Sequence, residues 1–578
     1  MLFSFFPSAH QHACARKQQE RQSKIDSLPA IYSAPLSLLE EKIHALSISQ
    51  LVSQCRSGTI SPSAIMLAYA KKTLVAQRAT NCVSDIMFQE ALLIPPVANW
   101  GLGVDLDAGI NEAARERSLL GVPVSIKDTV NIQGHDSTIG YSKNVGKPSA
   151  SSSAIVRLLQ DAGALVHVKT TVPAGLLAIE TASDVFGRTD NPYNPDFTVG
   201  ASTGGGGALL ACGGSKIEIG TDIAGSVRIP AHFCGIWSLK ASSGRFPSWG
   251  TESSMAGLES VPIITSPMAG SLVDLRDFWK RVIACEPWQY DHTCVPLPWK
   301  DVNLRDEGRK LKWGIVWEDG LIPPTPACKR ALSIVIAALK KQGHEVVDFH
   351  PPNVWDGLKI GYQLLFSDGQ QIKNALSPGE KVNMAAMAIL DLLHLPRLMK
   401  RILAYFTGAD DAASSELLEI MHTKSVLEDR QNVVARDAYR AEWHRKWVEE
   451  GLDFVLTVPI SFPAIEHGAS EKTTLICAGY TFLFSLLDYP AGVLPVTNVD
   501  KELDNLPEDF VDSDQFKSYP AVAKTAYSVY DAAKMHGLPL GVQVVGRRFE
   551  EEKVLEGMQV IEDALHQQGS VFVNAVNL

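Results

Sequence analysis

The spacing of apolar residues predicts helices in the first part of the chain. Between Leu36 and Gly58, apolar residues recur at intervals of three and four, which is the repeat of a helix with one buried face. Gly58 ends this pattern, and Ser61-Pro62 has the residue types favoured at an N-cap and at the first helical position. Residues 15–30 are polar and predict a surface helix or arm. We therefore expect helical packing with little chemistry in this region.

A different pattern begins at Gly121, where short apolar runs alternate with helical segments. GVPVSIKD, which starts at Gly121, and ALVHVKTTVP, which starts at Ala164, have the length and flanking residues of buried strands. Between them SSAIVRLLQDAG has the periodicity of a helix, and the same alternation returns towards the C-terminus. Alternating strands and helices indicate an α/β fold in which helices cover both faces of a sheet.

The charge and cysteine content exclude several classes of protein. The 578 residues include 64 acidic and 53 basic side chains, a formal net charge of −11, whereas nucleic-acid binding calls for a basic patch. The nine cysteines form no C-x-x-C pair, which argues against a zinc site or a disulfide framework and for a reducing compartment. No apolar stretch reaches the ~20 residues that cross a bilayer. We expect a cytoplasmic protein that binds no nucleic acid and no metal, with at most a peripheral membrane contact.

The most distinctive segment is the glycine-rich stretch from Gly200 to Pro247. It lacks the patterns of phosphate-binding loops, of dinucleotide-binding loops and of the G-x-S-x-G nucleophile elbow. It does contain TDIAGSVR, a serine in a turn of small residues. Small residues allow several backbone N–H groups to point into one concavity, as an oxyanion hole requires. By itself, however, a glycine cluster is also typical of ordinary turns and of closely packed elements.

Several separated blocks resemble the amidase signature family of serine hydrolases. GASTGGGGAL, GTDIAGSVRIPA and SLKASSGRFP match, in order, the family pattern GGSSGGEGAL…GTDIGGSIRIPA…GLKPT.GR.P, and GVPVSIKD resembles the family's lysine block. The likeness runs from about residue 40 to GLPLGVQVVGRRFEEEKVL near the C-terminus. Within the family it is greatest to fungal acetamidases and fatty acid amide hydrolases. It implies the amidase signature fold, an α/β architecture with a central mixed β-sheet covered on both faces by helices.

Pattern and resemblance together predict how the chain is divided. Residues 1–35 form an N-terminal arm, and residues 36–578 form a single amidase domain. Within that domain we expect three parts, which are an N-terminal helical region (36–115), a catalytic signature core (116–250) and a helical lid or insertion (350–450).

The resemblance also assigns roles to individual residues. Ser226 takes the position of the nucleophile, Ser202 that of a bridging serine next to a cis peptide, and Lys127 that of the base. The oxyanion hole would be formed by the backbone N–H groups of Ile223, Ala224, Gly225 and Ser226. Asp222 and Arg228 flank this turn, and a pair between them would brace it. No metal or organic cofactor is implied.

The proposed base must be an uncharged amine. A serine hydroxyl is a weak nucleophile that must lose its proton as it attacks. Lysine accepts that proton only when neutral, so its pKa of about 10.4 must fall towards ~7–8 through burial. Lys127 ends an apolar strand, which is consistent with burial. Asp128 follows it directly but should point to the opposite face, because side chains alternate along a strand.

The chain departs from the family pattern around Ser202. Ala201 and Thr203 replace a glycine and a serine, and Ala241 replaces a proline. Thr203 keeps a hydroxyl, while its β-branch stiffens the turn and supports the site. Gly206 stands where a glutamate or another polar residue is usual. We expect that loss to loosen the helix behind Ser202 and to reduce the rate.

Two further features bear on the substrate and on partners. Leu176 and Leu177 follow Pro173 where acyl-pocket residues tend to lie, which favours an apolar acyl group. The stretch 384–408 is apolar, with Arg397, Lys400 and Arg401 in its second half. It fits three roles: a membrane-interface segment that admits lipid amides, a core or lid helix over the site, and the buried face of a homodimer.

The resulting functional hypothesis is a serine amidase that cleaves a small-molecule amide to an acid plus ammonia or an amine. One alternative is a hydrolase of urethanes, esters or lactams with the same Ser-Ser-Lys triad. The other is a non-hydrolysing relative, either a binding protein or an amidotransferase subunit that needs a partner chain.

Overall fold

The centre of the fold is a mixed sheet of eleven strands. A computed structural model of the chain describes residues 8–94, 104–105, 116–305, 309–408, 411–473 and 475–576. In chain order, the strands of the described residues are β1 (Val83–Ile86), β2 (Leu93–Ile94), β3 (Val104–Asp105), β4 (Pro123–Lys127), β5 (Leu165–Thr170), β6 (Ala182–Ser183), β7 (Gly187–Arg188), β8 (Ile217–Asp222), β9 (Trp237–Lys240), β10 (Ile264–Ala269), β11 (Lys312–Ile315), β12 (Glu345–Asp348), β13 (Phe454–Thr457), β14 (Ala491–Asn498) and β15 (Pro539–Val545). Strands β2 and β3 pair with each other outside the large sheet, and so do β6 and β7.

The α-helices of the described residues fall before, between and after these strands. They are α1 (Ala9–Asp26), α2 (Leu38–Ala45), α3 (Ile48–Arg56), α4 (Pro62–Thr80), α5 (Ala154–Asp161), α6 (Gly204–Ala211), α7 (Arg228–Cys234), α8 (Leu272–Ala284), α9 (Pro326–Lys341), α10 (Val354–Leu365), α11 (Gln371–Ala375), α12 (Met384–His394), α13 (Arg397–Thr407), α14 (Ala412–Ile420), α15 (Val426–Glu449), α16 (Gly479–Leu486), α17 (Asp514–Ser518), α18 (Ala521–Ser528) and α19 (Glu551–His566).

The strand order of the sheet is β1-β5-β4-β8-β10-β9-β14-β15-β13-β11-β12. Strand β4 pairs in parallel with β5 and with β8, whereas β10 runs antiparallel to β8 and to β9. At the far side, β11 is parallel to both β12 and β13. The predicted α/β fold with a mixed sheet is therefore confirmed.

Helices pack on both faces of the sheet. Consecutive residues of one strand enter different hydrophobic clusters, because side chains alternate between the faces. Thus Met268 and Val493 pack in one cluster with residues of α4 and α6, while their neighbours Ala269 and Leu494 pack in the other. A sheet buried on both sides explains why its strands are nearly continuous apolar runs.

The N-terminal helices agree with the sequence except at one point. Ser61 caps α4 by accepting a hydrogen bond from Ala64 N, and Pro62 is its first residue, as predicted. The apolar pattern of residues 36–58, however, forms two helices rather than one. The chain turns at Leu46, and Ser47 and Gln50 form a capping box that starts α3.

The polar segment predicted as a surface helix or arm falls on α1, which is anchored to the body of the protein. Lys17 is 3% exposed and pairs with Asp136 at 3.1 Å, and Lys24 pairs with Asp85 at 2.6 Å. Parts of the predicted arm and helical region, namely residues 1–7, 95–103 and 106–115, lie outside the described residues.

The predicted helical part at 350–450 consists of α10 to α15, and its stretch 384–408 divides into two helices of different character. Helix α12 turns five apolar residues inward, whereas α13 exposes most of its apolar side chains. In the part of the chain that the structure describes, no helix is long and apolar enough to cross a membrane.

One buried arginine ties the centre of the sheet to the helices above it. Arg228, the first residue of α7, donates two hydrogen bonds to Asp222 at 2.8 and 3.0 Å. It also donates to Thr481 O, to Ser485 Oγ and to Gln543 Oε1 at 2.8 to 2.9 Å. The guanidinium is completely buried, and its fork geometry allows this many directed contacts at once. It joins β8, α16 and β15.

We expect the Arg228→Met variant to lose about 3–5 kcal/mol of unfolding free energy, because the buried Asp222 carboxylate loses its partner. Urea unfolding at pH 7 measures this loss. The control is Arg188→Met, which removes a 2.8 Å pair with Asp190 from an arginine that is 51% exposed and should cost about 0–1 kcal/mol. Equal effects of the two substitutions would contradict the proposed role of Arg228.

Candidate active site

The site lies at one edge of the sheet, where two parallel strands end. Lys127 is the last residue of β4 and Asp222 is the last residue of β8. Because β4 and β8 are adjacent and parallel, their carboxyl ends meet at the same edge, where ligands bind in many α/β sheets. The turn that follows β8 carries Ser226.

Lys127 is fully buried and contacts two hydroxyl groups. Its Nζ lies 2.8 Å from Ser202 Oγ, 2.9 Å from Thr221 Oγ1 and 3.2 Å from Thr221 O. Burial lowers the pKa of Lys127 to about 7, against the opposing influence of the Asp222 and Glu218 carboxylates. The amine therefore exchanges its proton near neutral pH.

The two serines are held on adjoining backbone segments. Ser202 precedes α6, and the peptide bond between Ala201 and Ser202 is cis. The N–H of Thr203 donates to Ser226 O at 3.0 Å. The side-chain oxygen of Thr203 has no hydrogen-bond partner among the described residues, so its contact with the site is made through the backbone and by packing.

The turn that carries Ser226 requires glycine at position 225. Gly225 has φ +126°, and a Cβ at this position would overlap Thr481 Oγ1. The Gly225 N–H donates to Asp222 Oδ1 at 2.8 Å. This hydrogen is directed to the aspartate here, and the role of Gly225 as an oxyanion donor stays a prediction. Ile223, Ala224, Gly225 and Ser226 all line the adjoining cavity.

Asp222 and Arg228 form the predicted pair and organise this turn. Burial alone would raise the pKa of Asp222, but the Arg228 guanidinium outweighs burial and holds it below its usual value. The carboxylate also accepts hydrogen bonds from the N–H groups of Gly225 and Val227. An ionised Asp222 thus fixes the backbone on both sides of Ser226.

An apolar cavity opens beside Ser226, which is 9% exposed, and the empty space there is about 560 Å³ when the adjoining solvent is included. Leu176 and Leu177 line it, as the sequence predicts. Its other walls come from distant segments and include Ile179, Tyr362, Leu365, Phe366, Ile476 and Phe482. With no charged side chain among its lining residues, the cavity suits an apolar group.

Other predictions about neighbouring residues can be compared with the structure. Asp128 does not contact the Lys127 amine but accepts a hydrogen bond from Thr138 N at 2.9 Å and lies 3.7 Å from Lys169, in agreement with side-chain alternation. Sequence reasoning missed Thr221, although its place next to Asp222 in the matched block could have indicated it. Tyr362 and Phe482 carry no local signal that separates them from core residues.

Comparison with known proteins identifies the family. Residues 64–555 match the family model described as "Amidase". The chain is 31% identical over 557 residues to "Fatty-acid amide hydrolase 1" of Sus scrofa, covering 95% of this chain and 92% of that one. It is also 31% identical over 531 residues to "Acetamidase" of Aspergillus oryzae, covering 90% of each.

A solved structure called "Fatty acid amide hydrolase" superimposes with a TM-score of 0.80 at 25% identity, over 98% of this chain and 97% of that chain. Sequence and structure therefore agree over nearly the full length. The chain belongs to the amidase signature family and is an amide-hydrolysing enzyme.

Proposed function

We propose that this enzyme hydrolyses amides through an acyl-enzyme, with Ser226 as nucleophile, Ser202 as proton relay and Lys127 as base. The observation that carries the proposal is the buried contact of 2.8 Å between Lys127 Nζ and Ser202 Oγ. Ser226 lines the apolar cavity, and its carbonyl accepts a hydrogen bond from the N–H of Thr203, the residue after Ser202.

The surroundings of Lys127 suit a neutral amine. A neutral amine has two N–H donors and one lone pair, whereas an ammonium has three donors and no acceptor. Thr221 O and Thr221 Oγ1 can take the two donors. The lone pair is then left for the Ser202 hydroxyl, which is the arrangement a base requires.

The reaction then proceeds in two halves. Ser226 Oγ bonds to the carbonyl carbon and passes its proton to Ser202 Oγ, while the Ser202 proton moves to Lys127 Nζ. Collapse of the tetrahedral intermediate breaks the C–N bond, and the leaving nitrogen receives a proton back through Ser202. Water attacks the acyl-enzyme by the same relay and releases the acid. The N–H groups of Ile223, Ala224 and Ser226 are the proposed donors to the carbonyl oxygen.

The proposed substrate is an amide with an apolar acyl chain. Leu176, Leu177 and Phe482 surround the space next to Ser226, and each methylene buried there contributes about 0.8 kcal/mol. Two relatives are named for acetamide and for fatty-acid amides, so chain length is the property to test.

The first prediction concerns the base. We expect kcat/KM to fall as the pH is lowered through about 7, because the protonated Lys127 cannot accept a proton, and we expect Lys127→Met to lose about 10²–10⁴-fold. A pH series with one soluble amide measures both effects. The matched control is Lys240→Met, since burial also lowers the pKa of Lys240 to about 8 but its amine donates to Ala241 O. The assignment would be refuted if kcat/KM still fell at low pH in Lys127→Met but no longer did so in Lys240→Met.

The second prediction concerns the substrate. In a series of primary amides from acetamide to oleamide, we expect kcat/KM to rise about fourfold per methylene until the cavity is filled. Ser226→Ala serves as the blank. A preference confined to short amides would make the enzyme acetamidase-like.

The same assay separates the rival functions. Faster turnover of matched urethanes, esters or lactams would favour the alternative hydrolases. A wild type no more active than Ser226→Ala on every compound would favour a non-hydrolysing relative or an amidotransferase subunit and would contradict the proposal.

We further propose that α13 rests on a lipid surface. One side of this helix exposes Leu398, Ile402, Tyr405 and Phe406, with Phe406 73% exposed. Lys400, one of the three basic residues of this segment, is buried and donates to Leu393 O and Met421 O. Arg397 and Arg401 remain at the surface.

We expect the wild type to sediment with vesicles of mixed neutral and anionic phospholipid, and the Leu398→Glu/Phe406→Glu variant to stay in solution. Charges on the apolar face would oppose insertion at the interface. Leu503→Glu, at a residue that is 68% exposed elsewhere, is the control. Light scattering would reveal the other outcome, a wild-type dimer that the double variant splits, which would assign α13 to a homodimer interface.

A further inference from the structure

Helix α6 is packed against β8 at two points one helical turn apart. Thr203, the residue directly before the helix, lies against Gly220, and a Cβ on Gly220 would come within 2.9 Å of the Thr203 hydroxyl oxygen. One turn further on, a Cβ on Gly206 would overlap the side chain of Glu218. The missing side chain at position 206 therefore leaves no void, because a carboxyl from the strand below occupies that space.

Glu218 is a buried carboxyl group with few partners. It is completely buried, and its Oε1 accepts a hydrogen bond from Thr170 Oγ1 at 2.6 Å. Its Oε2 has no hydrogen-bond partner among the described residues. Burial raises the pKa of Glu218 to about 7, although the neighbouring Ser125 hydroxyl, the hydrogen bond from Thr170 and the charge of Lys127 act to lower it. Such a group is costly to keep in a core, so a function is the expected compensation.

The strand register places Glu218 beneath the base. Glu218 is opposite Ser125 on β4, and Lys127 is two residues further along the same face. Lys127 is also opposite Thr170, the residue that donates to Glu218. The charge of Glu218 acts on two ionisable groups, the Lys127 amine and the buried Cys82 thiol. Helix α6 contributes none, since its sequence is GGGGALLA.

Glu218 differs in this respect from the other carboxylate that acts on Lys127. The charge of Asp222 is balanced by the Arg228 guanidinium at 2.8 Å. Among the described residues, no basic side chain forms a salt bridge with Glu218, and the charge that acts on it is that of Lys127. The protonation of Glu218 is therefore coupled to the protonation of Lys127 rather than to a separate salt bridge.

We propose that Glu218 is a positioning residue for Lys127 and Ser202, and that it supplies from β8 the carboxyl group that the signature helix lacks at Gly206. The proposal rests on the triad proposed above. It replaces the expectation of a loosened helix, because α6 is supported by a carboxyl on the neighbouring strand. Gly206 is then required, since any larger side chain would compete for the same space.

Moving the carboxyl group from position 218 to position 206 tests this placement, first through stability and then through activity. Gly206→Glu alone forces two carboxyl groups into one buried space, and Glu218→Ala alone leaves that space empty. We expect both single variants to lower Tm and the double variant Gly206→Glu/Glu218→Ala to regain much of the loss. We also expect kcat/KM of the double variant to exceed that of Gly206→Glu by about tenfold or more, the scale of coupling between residues in contact.

A double variant no more stable than Gly206→Glu would overturn the exchange. Because Tm is read without substrate, this outcome differs from a failure of the proposed function, which would instead appear as a wild type no more active than Ser226→Ala.

A conservative change tests the action on Lys127 itself. Glu218→Gln keeps an acceptor for Thr170 but removes the charge that favours the ammonium form of Lys127. The acid limb of kcat/KM should then move to lower pH by about one unit. The control is Glu562→Gln, since burial also raises the pKa of Glu562 to about 7, but Glu562 lies on α19 and its carboxyl accepts from Trp237 Nε1 on β9. An unmoved limb in Glu218→Gln, with stability retained, would reduce Glu218 to a packing role and contradict the proposal.

Discussion

The burial of one lysine amine at the end of a parallel strand pair governs the arrangement of this site. Such an amine is stable only if its hydrogen-bonding capacity is met nearby, and Lys127 meets it with Ser202 and Thr221. Thr221 lies on β8 and Ser202 lies in the turn preceding α6, so these two segments must approach each other closely. The glycines on these segments allow that approach, and the Asp222–Arg228 pair fixes the turn that results.

The site residues Lys127, Ser202 and Ser226 could be located from the sequence because the blocks that contain them resemble those of a known family, and the local pattern is consistent with that placement. Lys127 ends an apolar strand, Ser226 lies in a turn of small residues, and the alternation of strands and helices is visible without a structure. Finer features depended on competition between hydrogen bonds. Ser47 divides a continuous apolar pattern into two helices, and Asp222 takes the N–H of Gly225.

The walls of the apolar cavity could not be predicted for a different reason. Leu177, Tyr362, Ile476 and Phe482 are separated by up to about 300 positions in the chain. They meet because α10 packs against α16, with the Tyr362 and Phe482 rings stacked, and because loops bring the other two residues to the same cavity. An apolar residue that faces a cavity follows the same helical repeat as one that faces the core. Chain connectivity through the sheet, rather than local pattern, decides which of them border the cavity.

The inward lysine of α13 determines how this helix can meet another surface. Lys400 donates hydrogen bonds to Leu393 O, before the helix, and to Met421 O, after it. These bonds attach the middle of α13 to the neighbouring segments. The apolar side chains on the opposite side of α13 are thereby fixed in position relative to α12 and α14. Apolar side chains fixed in this way need a partner that adapts its shape to theirs. Fluid lipid chains rearrange easily, whereas the side chains of a folded protein are close-packed.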